Sequence, residues 1–233
     1  MSKTTFSLSY SSSRSASSTA TSKRGRAAEG GGGGSEGGTY TVSTGADDGY
    51  WRKQNVSGFG STVYRPSSYT SILDSQTYVY MGGNLDDEDF DYDFYKGYFR
   101  FNNVNVSQGA TISSAYFKPY FKNKWGTFTL RIAAYDDDDA LQPSLAFHGG
   151  HSFDTTAYVD YSSSSISASS GDQITSPDIK TVIQEIVDRA GWTSGSDLMI
   201  MTYVYSLPNY DTGYMRVSGY EDTGKAAQLE INV

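Results

Sequence analysis

Cysteine is absent from all 233 residues. Its absence excludes disulfides, thiolate metal sites and thiol nucleophiles together, so stability has to come from packing or assembly. Histidine is almost absent as well: the two that exist are His148 and His151, in FHGGHS, and two ligands with no cysteine partner do not make a zinc site. No apolar run approaches the roughly 18 to 20 residues needed to cross a bilayer. The opening MSKTTFSLSYSSSRS has no apolar stretch of the secretory kind, so synthesis in the cytoplasm and no membrane contact are expected. No phosphate-binding glycine loop opens a helix, and paired carboxylates are too numerous to mark an acid–base couple; no enzyme is expected.

Positive charge is scarce and unevenly placed. The net charge is -8, yet residues 1–38 hold Lys3, Arg14, Lys23, Arg24 and Arg26 against Glu29 and Glu36, a net +3, leaving -11 on the rest. An acidic body repels nucleic acid and anionic lipid, and a few dispersed cations supply too few phosphate contacts for useful affinity. No nucleic-acid partner is expected.

Two regions follow from composition. Residues 11–38, SSSRSASSTATSKRGRAAEGGGGGSEGG, contain no large apolar side chain and cannot bury enough surface to offset ordering, so residues 1–38 read as a flexible N-terminal arm. Ahead of the Ser/Gly stretch, TTFSLSYS alternates Phe6, Leu8 and Tyr10 with small polar residues, the period of a strand suited to a partner's sheet edge. A strand of the chain's own sheet, or simple disorder, is the plain alternative.

Residues 39–233 read as a β-sandwich domain. Short alternating runs recur between turn signals: TYTVST, STVYR, TYVYMG, YFRFNNVNV, ISSAYFKPYF, TFTLRIAAY, TTAYVDY, LMIMTYVY, YMRVSGY and AQLEINV. That spacing predicts an all-β fold, a two-sheet sandwich of jelly-roll kind. One segment breaks the pattern. In SPDIKTVIQEIVDRAGW, Ile179, Val182, Ile183, Ile186 and Val187 form a single helical stripe, predicting one amphipathic helix laid on the sandwich. Ser176 is expected as its N-cap with Pro177 in the first turn, Gly191 as its left-handed C-terminal residue, and Glu185 with Arg189 as an i, i+4 pair.

The stretches YFRFNNVNVSQGATISSAYFK at 98–118, LRIAAYDDDDA at 130–140 and SPDIKTVIQEIVDRAGWTSGSDLMI at 176–200, with the closing GYEDTGKAAQLEINV at 219–233, resemble the DNRLRE-type β-sandwich domain. The resemblance runs from about Thr39 to Val233. It implies a carbohydrate-binding-module-like sandwich without catalysis of its own, known as an accessory domain of secreted bacterial proteins, where some members bind polysaccharide, with related sandwiches in viral and phage structural proteins.

The expected function is therefore a non-enzymatic virion structural protein, a capsid decoration, head fibre or tail component. It is held to other virion proteins or to copies of itself through Phe6, Leu8 and Tyr10. The Ser/Gly stretch would bridge about 30 Å when relaxed and on the order of 90 Å when extended. The alternatives are a filament subunit using strand donation and a polysaccharide-binding module. The latter would use Tyr205, Tyr210 and Tyr214 of YSLPNYDTGY, because sugar sites combine aromatic planes with hydrogen-bonding side chains. No cofactor is expected. Calcium at Asp136–Asp139 or in the run Asp86–Asp93 is the alternative, although neither run has the EF-hand order. Asp89, Asp91 and Asp93 alternate with aromatic residues, which suggests a charged edge strand or an acidic docking surface for a basic partner.

Overall fold

The computed structural model describes residues 36–56, 68–86, 91–144, 153–206 and 212–233. Phe6, Leu8, Tyr10, Tyr210, His148, His151 and Asp89 lie outside the described residues. Gly34–Val233 form one compact unit, starting a few residues before the expected boundary. The fold is an all-β sandwich of two unequal sheets.

The smaller sheet has the order β1 (Gly38–Thr41), β12 (Gln228–Asn232), β6 (Ser114–Lys118). The larger runs β7 (Phe121–Trp125), β11 (Gly213–Ser218), β4 (Tyr78–Asp86), β5 (Asp91–Val104), β10 (Ser196–Ser206), β8 (Thr129–Ala134), β9 (Val159–Ser162); β2 (Asp48–Val56) also pairs with β5 and carries β3 (Ser71–Asp74). Every pairing is antiparallel.

β5 organises the large sheet. Tyr95 is in register with Gly82 of β4 and Arg52 of β2, and Lys96 with Tyr203 of β10 and Trp51 of β2. A strand residue has two hydrogen-bonding edges, so β4 and β10 succeed one another along one edge while β2 occupies the other. The DFDYDF segment was expected at an edge. Its described part, from Asp91 on, instead opens this central strand, with Asp91 opposite Asp86 and Tyr92 opposite Val56. Local alternation is the same for edge and central strands, so only the pairing could tell them apart.

Side-chain alternation along β5 and β10 separates two cores. Phe99, Phe101, Leu198 and Ile200 meet Ala115, Phe117, Leu229 and Ile231 of the small sheet, together with Ile183 and Ile186. On the opposite face Phe94, Tyr98, Met199 and Met201 pack with Trp51, Tyr69, Tyr135 and Ala140. Burial on both faces explains why β10 reads LMIM rather than alternating. β2 and β3 were not anticipated, because DGYWRKQNV mixes buried and charged positions and SILD is only four residues long.

The helix α1 (Lys180–Val187) buries Val182, Ile183, Ile186 and Val187 as its stripe requires. Its ends differ from expectation. Ser176 is no cap: its Oγ accepts from the Phe117 amide at 3.0 Å and donates to the Pro177 carbonyl at 2.7 Å. Asp178 Oδ1 accepts from the amides of Lys180 (3.0 Å) and Ala115 (2.9 Å). With the backbone bonds from Ser176 to Phe117 and from Ile179 to Ala115, residues 176–179 cover the outer edge of β6. Gly191 lies beyond the helix end at Val187, and the space a Cβ would take there is held by the Asp138 carboxylate, 1.9 Å away. Glu185 and Arg189 do not pair. Glu185 accepts from the Thr156 and Ala157 amides at 2.8 and 2.6 Å, and Arg189 turns to Asp136 and Asp138.

Ile183 is fully buried, whereas Thr181 is exposed. Ile183→Asp should destabilise the fold by more than about 4 kcal/mol through an unpaired buried charge, and Thr181→Asp should leave it nearly unchanged. Thermal melts followed by circular dichroism check both; an unaltered melt for Ile183→Asp would remove the helix from the core.

Candidate functional site

Glycine opens the way to the most distinctive surface. Gly82 in β4 has φ 135°, and a Cβ there would lie 2.4 Å from the Gly213 carbonyl oxygen and 2.6 Å from Tyr214 Cα. Only glycine allows that approach. Tyr214, the register partner of Gly82, leans along the strand to meet the Tyr80 ring edge-on at 5.5 Å.

Around Tyr80 the rings continue. Tyr95 stacks on it at 4.6 Å, while Tyr78 and Tyr50 meet it edge-on at 5.3 and 5.5 Å. The Arg216 guanidinium lies 5.2 Å from the Tyr80 ring, 5.6 Å from Tyr78 and 5.7 Å from Tyr214, and Arg216 Nε donates to Asn123 Oδ1 at 2.8 Å. At the far side Arg52 pairs with Asp93 at 2.5 Å, and the Tyr95 hydroxyl donates to the same carboxylate at 3.2 Å. Trp125 of β7 stands opposite Tyr214 in register and is 64% exposed.

This face combines the partly exposed rings of Tyr78, Tyr80 and Tyr214, a guanidinium and an amide, backed by the buried Tyr50 and Tyr95. Burial, with the neighbouring Tyr78 and Tyr80 rings adding to it, pushes the Tyr50 hydroxyl up to about 12; Tyr80 and Tyr95 move the same way, mainly by burial. The Tyr50, Tyr80 and Tyr95 phenols therefore stay neutral and act as hydrogen-bonding groups. Stacking planes with adjacent neutral hydroxyls and an arginine suit a sugar or a peptide aromatic far better than they suit bond-breaking chemistry.

Of the tyrosines expected to form a glycan loop, Tyr214 belongs to this face, and Tyr210 lies outside the described residues. Tyr205 lies in β10, which pairs with β5 and β8, while β11 pairs with β4 and β7; the two tyrosines sit on strands that are not hydrogen-bonded to each other. Sequence reasoning missed Trp125, Tyr78, Tyr80 and Arg216. The available signal was the polar-side alternation of TYVY and YMR, with WG marking an exposed strand end.

The Asp136–Asp139 run is engaged within the protein. Arg189 Nε donates to Asp138 at 2.6 Å and its Nη1 donates to Asp136. Asp139 accepts from the Asp197 amide at 2.8 Å and Asp137 from the Asp139 amide at 3.3 Å. Among the described residues no group of three or more acidic or histidine side chains is arranged to hold a metal ion. Asp93, expected on a free acidic face, is the partner of Arg52.

Two adjacent aspartates take opposite protonation behaviour. Burial works to raise the Asp47 carboxyl, but hydrogen bonds from Thr44, Arg100 and Asn102 outweigh it and hold it below the ordinary range. Asp48, on the other face of β2, is fully buried; desolvation pushes it to about 8 against the lowering effect of the Tyr220 amide, with Glu221 and Asp47 adding to the rise. Its Oδ2 accepts from that amide at 2.9 Å and its Oδ1 has no partner. Enclosed as it is, Asp48 touches no substrate and reads as a stability determinant.

A raised folded-state pKa means the folded protein holds a proton the unfolded chain has released. The Asp48 contribution is full below about pH 4 and falls as pH rises toward about 8, at up to about 1.4 kcal/mol per pH unit. Denaturant titrations from about pH 5 to about pH 8 should show wild type losing stability over this window and Asp48→Asn lacking that component; parallel profiles would show that Asp48 is ionised throughout. No family model matches the sequence and no curated protein is similar to it, so its own residues carry the functional argument.

Proposed function

We propose that the protein is a non-enzymatic structural component of a virus or phage particle, anchored by its N-terminal arm and displaying the sandwich outward. The observation that carries this reading is the joint between arm and body. Gly37 lies so close to β12 that a Cβ would stand 2.4 Å from the Ile231 carbonyl oxygen, and the next residue opens β1, an outer strand of the small sheet. The opposite outer strand, β6, is covered by residues 176–179. Among the described residues no backbone hydrogen bond reaches the outer edge of β1.

An open edge adjoining an arm that begins with a strand-like Phe6, Leu8, Tyr10 pattern favours strand addition between neighbours. Main-chain bonds would supply affinity and the three alternate side chains register. The resemblance to DNRLRE-type domains, whose related sandwiches occur in viral and phage structural proteins, favours the same reading. So does the use of carboxylates as internal ties, which suits a scaffold that bears load.

Electron microscopy and sedimentation of full-length protein, alone and mixed with particles from its source, test the proposal. Wild type should assemble or decorate particles, and the triple change Phe6→Ser, Leu8→Ser, Tyr10→Ser should abolish attachment without altering the melt of the body. Wild type that stays monomeric and unattached would end this reading.

The tyrosine and tryptophan face favours a second reading, a polysaccharide-binding module. Trp125→Ala and Tyr214→Ala would then each weaken retention in polysaccharide affinity gels by about tenfold or more, corresponding to loss of one stacking contact. Retention unchanged in both, or absent in wild type, would sink it.

A further inference from the structure

Lys96 is the one lysine wholly removed from water among the described residues, and it is not at an edge. It sits in the middle of β5, paired through its backbone with Trp51 on one side and Tyr203 on the other. Its side chain is 0% exposed and its Nζ lies 2.5 Å from Asp154 Oδ1, itself 6% exposed. The Trp51 and Tyr203 rings stand 6.0 and 5.5 Å from the nitrogen. Asp154 is held as firmly: it bridges to Tyr135, with backbone bonds from Asp136 to Phe153 and from Thr155 to Ala134 on either side.

The other lysine–carboxylate pairs differ in kind. Lys118–Glu230 and Lys122–Asp222 have both partners about a quarter or more exposed, so water competes at each. A buried ammonium–carboxylate pair is an expensive way to stabilise a core, since apolar side chains of the same volume do as well or better. The same arrangement is favourable for a condensation. The central strand and the bridged segment around Asp154 hold amine and carboxyl in contact, which removes the entropic cost of bringing them together. Burial drives the Lys96 amine toward its neutral, nucleophilic form, against the pull of Asp154.

We propose that Lys96 and Asp154 become joined by an intramolecular isopeptide bond. The proton of the ammonium passes to the carboxylate within the pair, giving a neutral amine beside a neutral acid. Nζ then attacks Cγ, the Nζ–Cγ bond forms, and the Cγ–O bond breaks. Both protons lost from nitrogen leave with the departing oxygen as water. The step is charge-neutral and needs no oxidant, reductant or external reagent. The product replaces a costly buried charge pair by a neutral amide and closes a covalent ring between the central strand and the segment leading into β9, in a protein that has no disulfides.

Intact-mass spectrometry of the purified, denatured full-length chain tests this directly. The expected mass is lighter than the sequence by one water, and a proteolytic digest should yield a branched peptide joining Lys96 to Asp154. Lys96→Arg, which keeps the charge but not the nucleophile, should restore the full mass. A succinimide at Asp48–Gly49 would also lose water, but its deficit would survive in Lys96→Arg and give no branched peptide. Folded wild type with the full sequence mass, or a deficit without the branched peptide, overturns the proposal. The wild-type mass and digest decide it even where the variant does not fold.

Discussion

Everything in the larger sheet hangs on the pairing of β5. One strand accepts β2 along one edge and β4 followed by β10 along the other, so two branches of the sheet converge at a single point. That point is Gly97, where an added Cβ would meet Thr202 Oγ1 at 2.7 Å, Met81 at 3.0 Å and Val79 at 3.1 Å. The glycine is needed for space, because side chains of β4 and β10 come to the same place. Side chains alternate along β5, so Phe99 and Phe101 lie between the sheets while Lys96 and Tyr98 point the other way, toward Trp51.

The second organising element is the way arginine is spent. Arg100 donates to Asp47 at 2.7 Å, to Asp197, and through Nε to the Ala140 carbonyl at 2.6 Å. Arg189 joins Asp136 and Asp138 to the end of the helix. Each guanidinium ties together segments remote in sequence, since its planar fork can serve more than one acceptor. In a chain without cysteine these clusters do the positional work that cross-links do elsewhere. Individually the more exposed of them are weak; their value lies in directing loops, as when Asp138 fills the space a side chain at position 191 would need.

The two edges of the small sheet show how a sandwich can be closed on one side and open on the other. Residues 176–179 satisfy the β6 edge with both backbone and side-chain groups. Among the described residues β1 has a single hydrogen-bonded neighbour, β12. The tyrosine face is built on the larger sheet, from β4, β11 and neighbouring strands.

The sequence by itself determined the all-β class, the amphipathic stripe of the one helix and the separation of a Ser/Gly arm from a compact body. These are readable because period-two and period-3.6 patterns, and the lack of large apolar residues, are local properties. Only the tertiary structure shows that the strand beginning at Asp91 is central, that Arg189 abandons Glu185 for Asp136 and Asp138, that Tyr214 meets Tyr80, and that Asp48 is enclosed while Asp47 is ion-paired. Those outcomes depend on contacts such as that between Arg100 and Asp197, 97 residues apart. Which of several equivalent charges or rings meets its partner is settled by strand order and register, and no local pattern encodes either.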